Sequence, residues 1–297
     1  MLFSIVVATR NRATLLCSLL GRLCNQLRDT ADTEIVIIDN QSKDDTRKAV
    51  ERFIDSYSGP MQIRYFYEGR VGVSVARNAG ARVARGQYVI FIDDDIDPEP
   101  WWLDSFRRLI ECAPNMRAAG GPIEPRPEPN VDLGFLSRRY LWIYAHLDYG
   151  ESTLLLSSRR TLNGCNMLID RSTFLECGGF DESFGHIGEA LGGCEEQELL
   201  ARIRRVYPIS CYYAGKAKIY HRIPASRATM EWAVARVRAA SKAIARSEAR
   251  HRSRLVVALK SAYYFMIILA SRVLPTNELR RAECSAYRDG LHRPHSP

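Results

Sequence analysis

Tyr88-Val89-Ile90-Phe91-Ile92-Asp93-Asp94-Asp95 is an apolar run that ends in three consecutive carboxylates. Gly86 precedes it and Pro98 follows, so Val89 to Ile92 reads as a fully buried strand. Three carboxylates packed at the tip of such a strand repel one another. At about 5 Å and an effective dielectric near 20, each like-charged pair costs roughly 3 kcal/mol. A divalent cation offsets that cost, and a hard ion such as Mg2+ keeps positions open for a substrate phosphate. The alternative is a solvated acidic turn, which the apolar strand before it disfavours.

Strand and helix signals alternate on the N-terminal side of this run. Phe3 to Ala8 predicts a buried strand. Leu15, Leu16, Leu19, Leu20, Leu23 and Leu27 then fall at helical spacing, with Asn11 as the candidate cap. Glu34 to Ile38 predicts a second strand that ends in Asp39-Asn40. Lys48 to Tyr57 predicts a helix, Ile63 to Tyr67 a strand, and Val73 to Arg85 a helix of small residues between Gly72 and Gly86. This alternation implies an α/β fold with a mixed, mostly parallel, Rossmann-like sheet flanked by helices. Ligands bind at the carboxyl ends of strands in such sheets. Ala8-Thr9-Arg10, Asp39-Asn40 and Asp93-Asp94-Asp95 are therefore expected to converge on one crevice.

The remainder is less regular. Gly120 to Asn130 is proline-rich and reads as an irregular loop, and residues 131–160 carry no assignable element. Asn163 to Ile169 predicts a strand, Arg171 to Cys177 a short helix stopped by Gly178-Gly179, and Glu195 to Val206 a helix. Ile209 to Tyr213 and Lys218 to His221 predict short strands, and the chain is helical and basic from about Ala228. The expected organisation is a domain over 1–225, with a nucleotide-binding half (1–120) and an acceptor-binding half (121–225), followed by a helical basic extension over 226–297.

The formal net charge is +8, and arginines crowd the extension. Acidic phospholipid, nucleic acid or a diphosphate-bearing substrate would each complement them. Leu255 to Leu274 is the most apolar stretch, but Lys260 and Arg272 interrupt it. It reads as a packed or oligomer-forming helix, an interfacial helix or a span. Phe3 to Ala8 is too short for an export signal and no basic segment precedes it. The eight cysteines form no C-x-x-C pair, so reduced thiols are expected rather than zinc ligands. The expected location is the cytoplasm, with peripheral contact at the cytoplasmic face of an anionic membrane.

In order along the chain, Ser4-Ile5-Val6-Val7-Ala8-Thr9-Arg10-Asn11-Arg12, Ile37-Ile38-Asp39-Asn40-Gln41-Ser42, Ala76-Arg77-Asn78-Ala79-Gly80, Asp93-Asp94-Asp95, Gly178-Gly179-Phe180-Asp181-Glu182 and Glu195-Glu196-Gln197-Glu198-Leu199 resemble the signatures of glycosyltransferase family 2, which has the GT-A fold. The resemblance covers about residues 3–225. It implies an inverting transferase that moves a sugar from a nucleotide-diphosphate donor, a UDP-sugar first among candidates, to a glycan or lipid-linked hydroxyl in cell-surface polysaccharide or glycoconjugate synthesis. It also implies Mn2+ or Mg2+ at the D-x-D motif, with Asp95 as metal ligand and Asp93 toward metal or ribose. Asp94 is assigned to the donor side or to orienting its neighbours. His221 is a metal-shell or diphosphate residue by the same resemblance; a lone histidine is as often structural.

Glu196 fills the general-base position of the family's E-D/E-x-x-L pattern, and Glu195 beside it would hold the acceptor. Carboxylates at a helix start also favour the macrodipole without any catalytic role. Asp39 would receive the nucleotide's base or ribose, or else serve as a turn former. Ala8, Thr9 and Arg10 would line the nucleotide pocket. Arg77 would approach the diphosphate, or be held in an ion pair. Asn166 and Trp142 are assigned to the acceptor pocket, where an aromatic face suits a sugar ring; Trp142 is equally readable as core.

A sugar-phosphate nucleotidyltransferase would carry glycines in the loop after the first strand, and Ala8-Thr9-Arg10-Asn11-Arg12 has none. A D-x-D-x-T phosphatase lacks its threonine here. A catalytically inactive sugar- or membrane-binding scaffold would not need the acidic trio and Glu196 together. Nucleic acid is not expected as a partner. The sequence leaves the oligomeric state open.

Overall fold

A computed structural model of the 297-residue chain describes residues 1–27, 30–270 and 277–291. Alternation dominates its first third. β1 (Phe3–Thr9) leads to α1 (Ala13–Gln26), β2 (Thr33–Asp39) to α2 (Thr46–Ser56), and β3 (Gln62–Tyr67) to α3 (Val73–Val83), before the acidic strand β4 (Tyr88–Asp93). β1 pairs in parallel with β2 on one side and β4 on the other. Every apolar residue of β4 is buried, as expected for a central strand covered on both faces. The small residues of α3 let it lie close to the sheet. A Cβ on Gly80 would stand 2.3 Å from Val6 Cγ1, so only glycine fits that contact.

Asn11 does not cap α1. It sits at φ 53°, donates its backbone N–H to Ser42 Oγ and accepts from the Lys43 backbone N–H through Oδ1. It ties the first loop to the loop after β2 instead, and α1 begins without a side-chain cap.

Beyond β4 the chain turns at Asp94-Asp95 into β5 (Ile96–Pro98), then forms α4 (Trp102–Cys112), an element with no counterpart in the sequence reading, and β6 (Ala118–Gly120). The proline-rich stretch read as an irregular loop contains β7 (Ile123–Pro127). Pro125 and Pro127 are tolerated because β7 lies at the edge of its sheet, with β11 beside it. A 3-10 helix (Arg138–Tyr144), β8 (Leu154–Leu155), β9 (Asn166–Asp170) and α5 (Arg171–Glu176) follow. Asp170 caps α5 by accepting from the Thr173 N–H, and Gly178 and Gly179 end it at positive φ.

α6 (Glu195–Val206), β10 (Cys211–Tyr213) and β11 (Ile219–Ile223) complete two sheets. The larger runs β3-β2-β1-β4-β9-β6-β10-β8 and the smaller β5-β11-β7. Within the larger sheet β9 is antiparallel to both β4 and β6, β6 and β10 are parallel, and β8 is antiparallel to β10. Among the described residues three helices follow: α7 (Met230–His251), α8 (Arg254–Ala270) and α9 (Glu278–Leu291). α7 packs through Ala233, Val234 and Val237 on Tyr140, Ile143 and Tyr144 of the 3-10 segment. The Leu255–Leu274 reading lies partly outside the described residues. No helix among the described residues is long and apolar enough to cross a membrane.

Candidate active site

Strand register brings the predicted carboxyl ends together. Ala8 lies opposite Asp93, and Thr9 opposite Asp39. Above them is a cavity of about 710 Å³, floored by Ala8, Thr9, Arg10, Arg12 and the three aspartates and walled by Arg77, Glu195 and Glu196. Trp142, His221, His186, Arg227 of the 3-10 turn Ala225–Arg227 and, from α7, Trp232 and Arg236 also line it. A larger cavity of about 1200 Å³ beyond His146 and Leu147 contains none of these carboxylates. The chemistry belongs to the first.

The three aspartates differ in their surroundings. Asp94 is buried and accepts from Thr9 Oγ1 at 2.7 Å and Arg12 Nη1 at 2.6 Å. Burial pushes its carboxyl up to about 6 despite the arginine. Its oxygens organise the loop after β1. Asp93 is more open and accepts from Arg77 Nη2 at 2.8 Å. Asp95 is buried, with Oδ2 2.8 Å from Arg12 Nη1 and 3.5 Å from Arg227 Nη1. Burial alone would raise its pKa, but His221, Arg12 and Arg227 outweigh it and hold the carboxyl well below the usual range.

Asp95 Oδ1 accepts no hydrogen bond and lies 3.3 Å from His221 Nε2. His221 Nδ1 is 2.9 Å from the Tyr144 carbonyl oxygen. A carbonyl only accepts, so Nδ1 carries a hydrogen; Nε2 faces Oδ1, and the Asp95 carboxylate outweighs burial and raises the ring's pKa, favouring a proton there. Two facing acceptors require a cation or a proton between them. Adjacent ligands on an octahedral ion at about 2.1 Å stand roughly 3 Å apart, so this pair fits a small divalent metal. Among the described residues there is no cluster of three or more such ligands. An ion held by Asp95 and His221 would complete its shell with substrate oxygens and water, as Mg2+ commonly does.

The opposite wall is set by α6. Cys194 precedes it in the left-handed region, φ 75°, which turns Glu195 and Glu196 inward. Arg77 is almost wholly buried and bridges the two walls, with Nη2 on Asp93 and Nη1 3.2 Å from Glu195 Oε1. Burial works against its charge, but Asp93, Glu195 and Glu196 outweigh it and raise the guanidinium's pKa. Glu196 Oε1 accepts from the Gly164 N–H at 2.7 Å. Burial, then the neighbouring Glu195 charge, pushes the Glu196 carboxyl up to about 7. A Cβ on Gly164 would stand 2.4 Å from Arg77 Nη1 and 2.9 Å from Glu196 Oε1, so a glycine is needed for the backbone to approach both.

One sequence assignment is corrected. Asn166 is fully buried; its Nδ2 donates to the Ala217 and Pro122 carbonyls and its Oδ1 accepts from Trp102 Nε1. It is a satisfied core residue with nothing left for an acceptor. Asp39 is buried and accepts from the Ser42 N–H and the Tyr65 hydroxyl, contacts that match the turn-former reading, while Asn40 beside it lines the cavity. Residues the sequence did not mark include Arg12, His186, Arg227, Trp232 and Arg236. Trp232 stacks on Tyr144, ring centroids 5.3 Å apart, and Arg236 donates to the Gly192 carbonyl. Burial, then Arg236, lowers His186 to about 4, so it stays neutral at physiological pH.

The family model described as glycosyl transferase family 2 matches residues 4–174, which span β1 through α5 and include the acidic strand. The chain belongs to glycosyl transferase family 2. Among curated members, a chondroitin synthase of Escherichia coli is 26% identical over 250 residues, 74% of this chain and 34% of that protein. A glucosyl-dolichyl phosphate glucuronosyltransferase of Haloferax volcanii is 28% identical over 170 residues, 56% of this chain and 52% of that protein. The chain thus spans about a third to a half of these two relatives. A mannosyltransferase from Pyrobaculum calidifontis, solved with GDP-Man and Mn2+, superposes with a TM-score of 0.59 at 17% identity, covering 97% of this chain and 69% of that one. TarS from S. aureus, solved with UDP-GlcNAc, gives 0.58 at 16% identity, covering 98% of this chain and 90% of that one. The mixed sheet with its flanking helices is the GT-A fold, shared with these solved structures.

Proposed function

We propose that this family 2 member transfers a sugar, with inversion, from a nucleotide-diphosphate donor to a hydroxyl of a glycan or lipid-linked acceptor. The observation that carries the reading is the pairing of two carboxylate systems across one cavity. The Asp95–His221 pair faces Glu196, with Arg77 between. A divalent ion, when bound by Asp95 and His221, would neutralise charge gathering on the departing diphosphate. Arg10 supports the same end of the site: it lines the cavity and its buried Nη1 has no hydrogen-bond partner, an open donor for a phosphate oxygen. Uridine is the nucleotide expected first.

Glu196 takes the acceptor's proton. The Gly164 N–H occupies Oε1 and fixes the carboxylate, leaving Oε2 for the hydroxyl. The acceptor oxygen bonds to the anomeric carbon as the bond to the β-phosphate oxygen breaks, and that oxygen keeps the electron pair. Attack from the face opposite the leaving group inverts the centre. Trp142 offers its ring to the acceptor side of the cavity.

A screen of UDP-, GDP- and dTDP-sugars with Mn2+ tests the reading. The matching donor should raise the melting temperature by roughly 5 °C at a hundred-fold excess over its Kd and release nucleoside diphosphate in the presence of acceptor. Stabilisation without release under any condition would leave a binding scaffold, and no stabilisation would remove the donor site.

The pH profile follows from Glu196. Below about 7 its carboxyl is protonated and cannot accept a proton, so kcat/KM should rise about tenfold per unit on the acid side and level off above neutrality. A profile flat from about pH 5.5 to 8.5 would exclude a group with this pKa as the base.

A further inference from the structure

α8 is amphipathic in the wrong sense for a helix facing water. Its inward stripe holds Lys260, which pairs with Glu248 at 2.9 Å, and Tyr264, which packs edge-on against Tyr287. Its outward stripe is apolar: Leu255, Leu259 and Met266 are 69%, 62% and 62% exposed, and Val256, Tyr263 and Leu269 flank them. Between Leu255 and Ala270 no charged side chain faces outward among the described residues. Surfaces of this kind mark contact with a partner.

Charge identifies the partner. After residue 225 the chain has fourteen Lys or Arg against five Asp or Glu, a balance of +9. Residues 1–225 have twenty-eight against twenty-nine, a balance of −1. The whole positive charge of the protein therefore lies in the segment that bears the apolar stripe. A second copy docked stripe to stripe would bring two such segments together, and their repulsion opposes that pairing. Nucleic acid would satisfy the charge and leave the aliphatic side chains uncovered. An anionic bilayer satisfies both, apolar side chains entering the acyl boundary while arginines such as Arg252 and Arg254 meet lipid phosphates.

We propose that the outward face of α8 is a seat on anionic membrane surfaces, on which the helix lies flat. The contact is separate from the transfer chemistry, since vesicle binding is measured without donor or turnover.

The test uses the full chain and sedimentation with vesicles of phosphatidylcholine alone or with about 30% phosphatidylglycerol. Binding should favour the anionic vesicles and fall as salt is raised from about 0.1 to 0.5 M. The double variant L259E/M266E should lose about ten-fold or more in partition while keeping its melting temperature and its donor hydrolysis. Equal binding to neutral vesicles, or undiminished binding by the variant, overturns the proposal. So does a lower melting temperature for the variant with no vesicle binding by the parent, which would mean the chain covers this face itself. A dimer in light scattering that the variant dissociates, again without vesicle binding, gives the face to a second copy and also overturns it.

Discussion

Glu196→Gln is expected to bind the nucleotide-sugar donor as the parent does and to lose about 10²–10⁴-fold in kcat. The amide is nearly isosteric, and its carbonyl oxygen still accepts from the Gly164 N–H. Basicity is what disappears. Stability should hold or improve, because burial and the adjacent Glu195 already make the ionised form unfavourable here. Calorimetry of donor binding beside initial-rate transfer separates the two effects. Turnover within a few-fold of the parent's would take the base assignment away from Glu196. Glu195→Gln is the useful comparison: it removes the charge of Arg77's acceptor-side partner and should disturb binding as well as rate.

Asp95→Ala carries the second large effect. In the parent, Mn2+ should tighten donor binding; in the variant that gain should vanish, a difference of at least about a hundred-fold or ~2.7 kcal/mol. Asp95 also restrains Arg12, Arg227 and His221. Without it Arg227 and His221 face the cavity unopposed while Arg12 keeps only Asp94, so donor affinity in the absence of metal should hold or rise. That opposite response distinguishes lost metal from a collapsed site, in which both affinities would fall. Asp95→Asn, which keeps the side chain's shape, guards against misfolding. An unchanged Mn2+ gain in either variant would remove Asp95 from the metal shell.

Where the chain repeats a local rule, its structure was legible. β1, β2 and β4 are short apolar runs with polar ends, and their parallel pairing puts those ends on one rim, as the alternation predicted. β7 was hidden because proline usually argues against a strand, and only the sheet order reveals that it lies at an edge. Asn166 misled because a polar residue opening a strand looks the same whether it faces a ligand or a set of carbonyls; its partners, Trp102, Pro122 and Ala217, are at least 44 residues away. Arg227, Trp232 and Arg236 share no spacing with the acidic trio; Trp232 and Arg236 reach the cavity because α7 packs on the 3-10 segment near Tyr144, and Arg227, just before α7, is held there by the Tyr144 hydroxyl on its carbonyl. The α8 pattern was ambiguous for a related reason. Periodicity reports that a helix has two faces, not which of them turns outward.

Arg77 imposes a restriction of its own. Its planar fork reaches a carboxylate on either side of the gap, whereas an ammonium at the same place would concentrate its hydrogen bonds at a single point. In the proposed reaction the span between leaving-group end and attacking end is thereby held by one stiff strut, not by a joint that opens and shuts. Lysine is therefore a poor replacement at this position even though it preserves the charge.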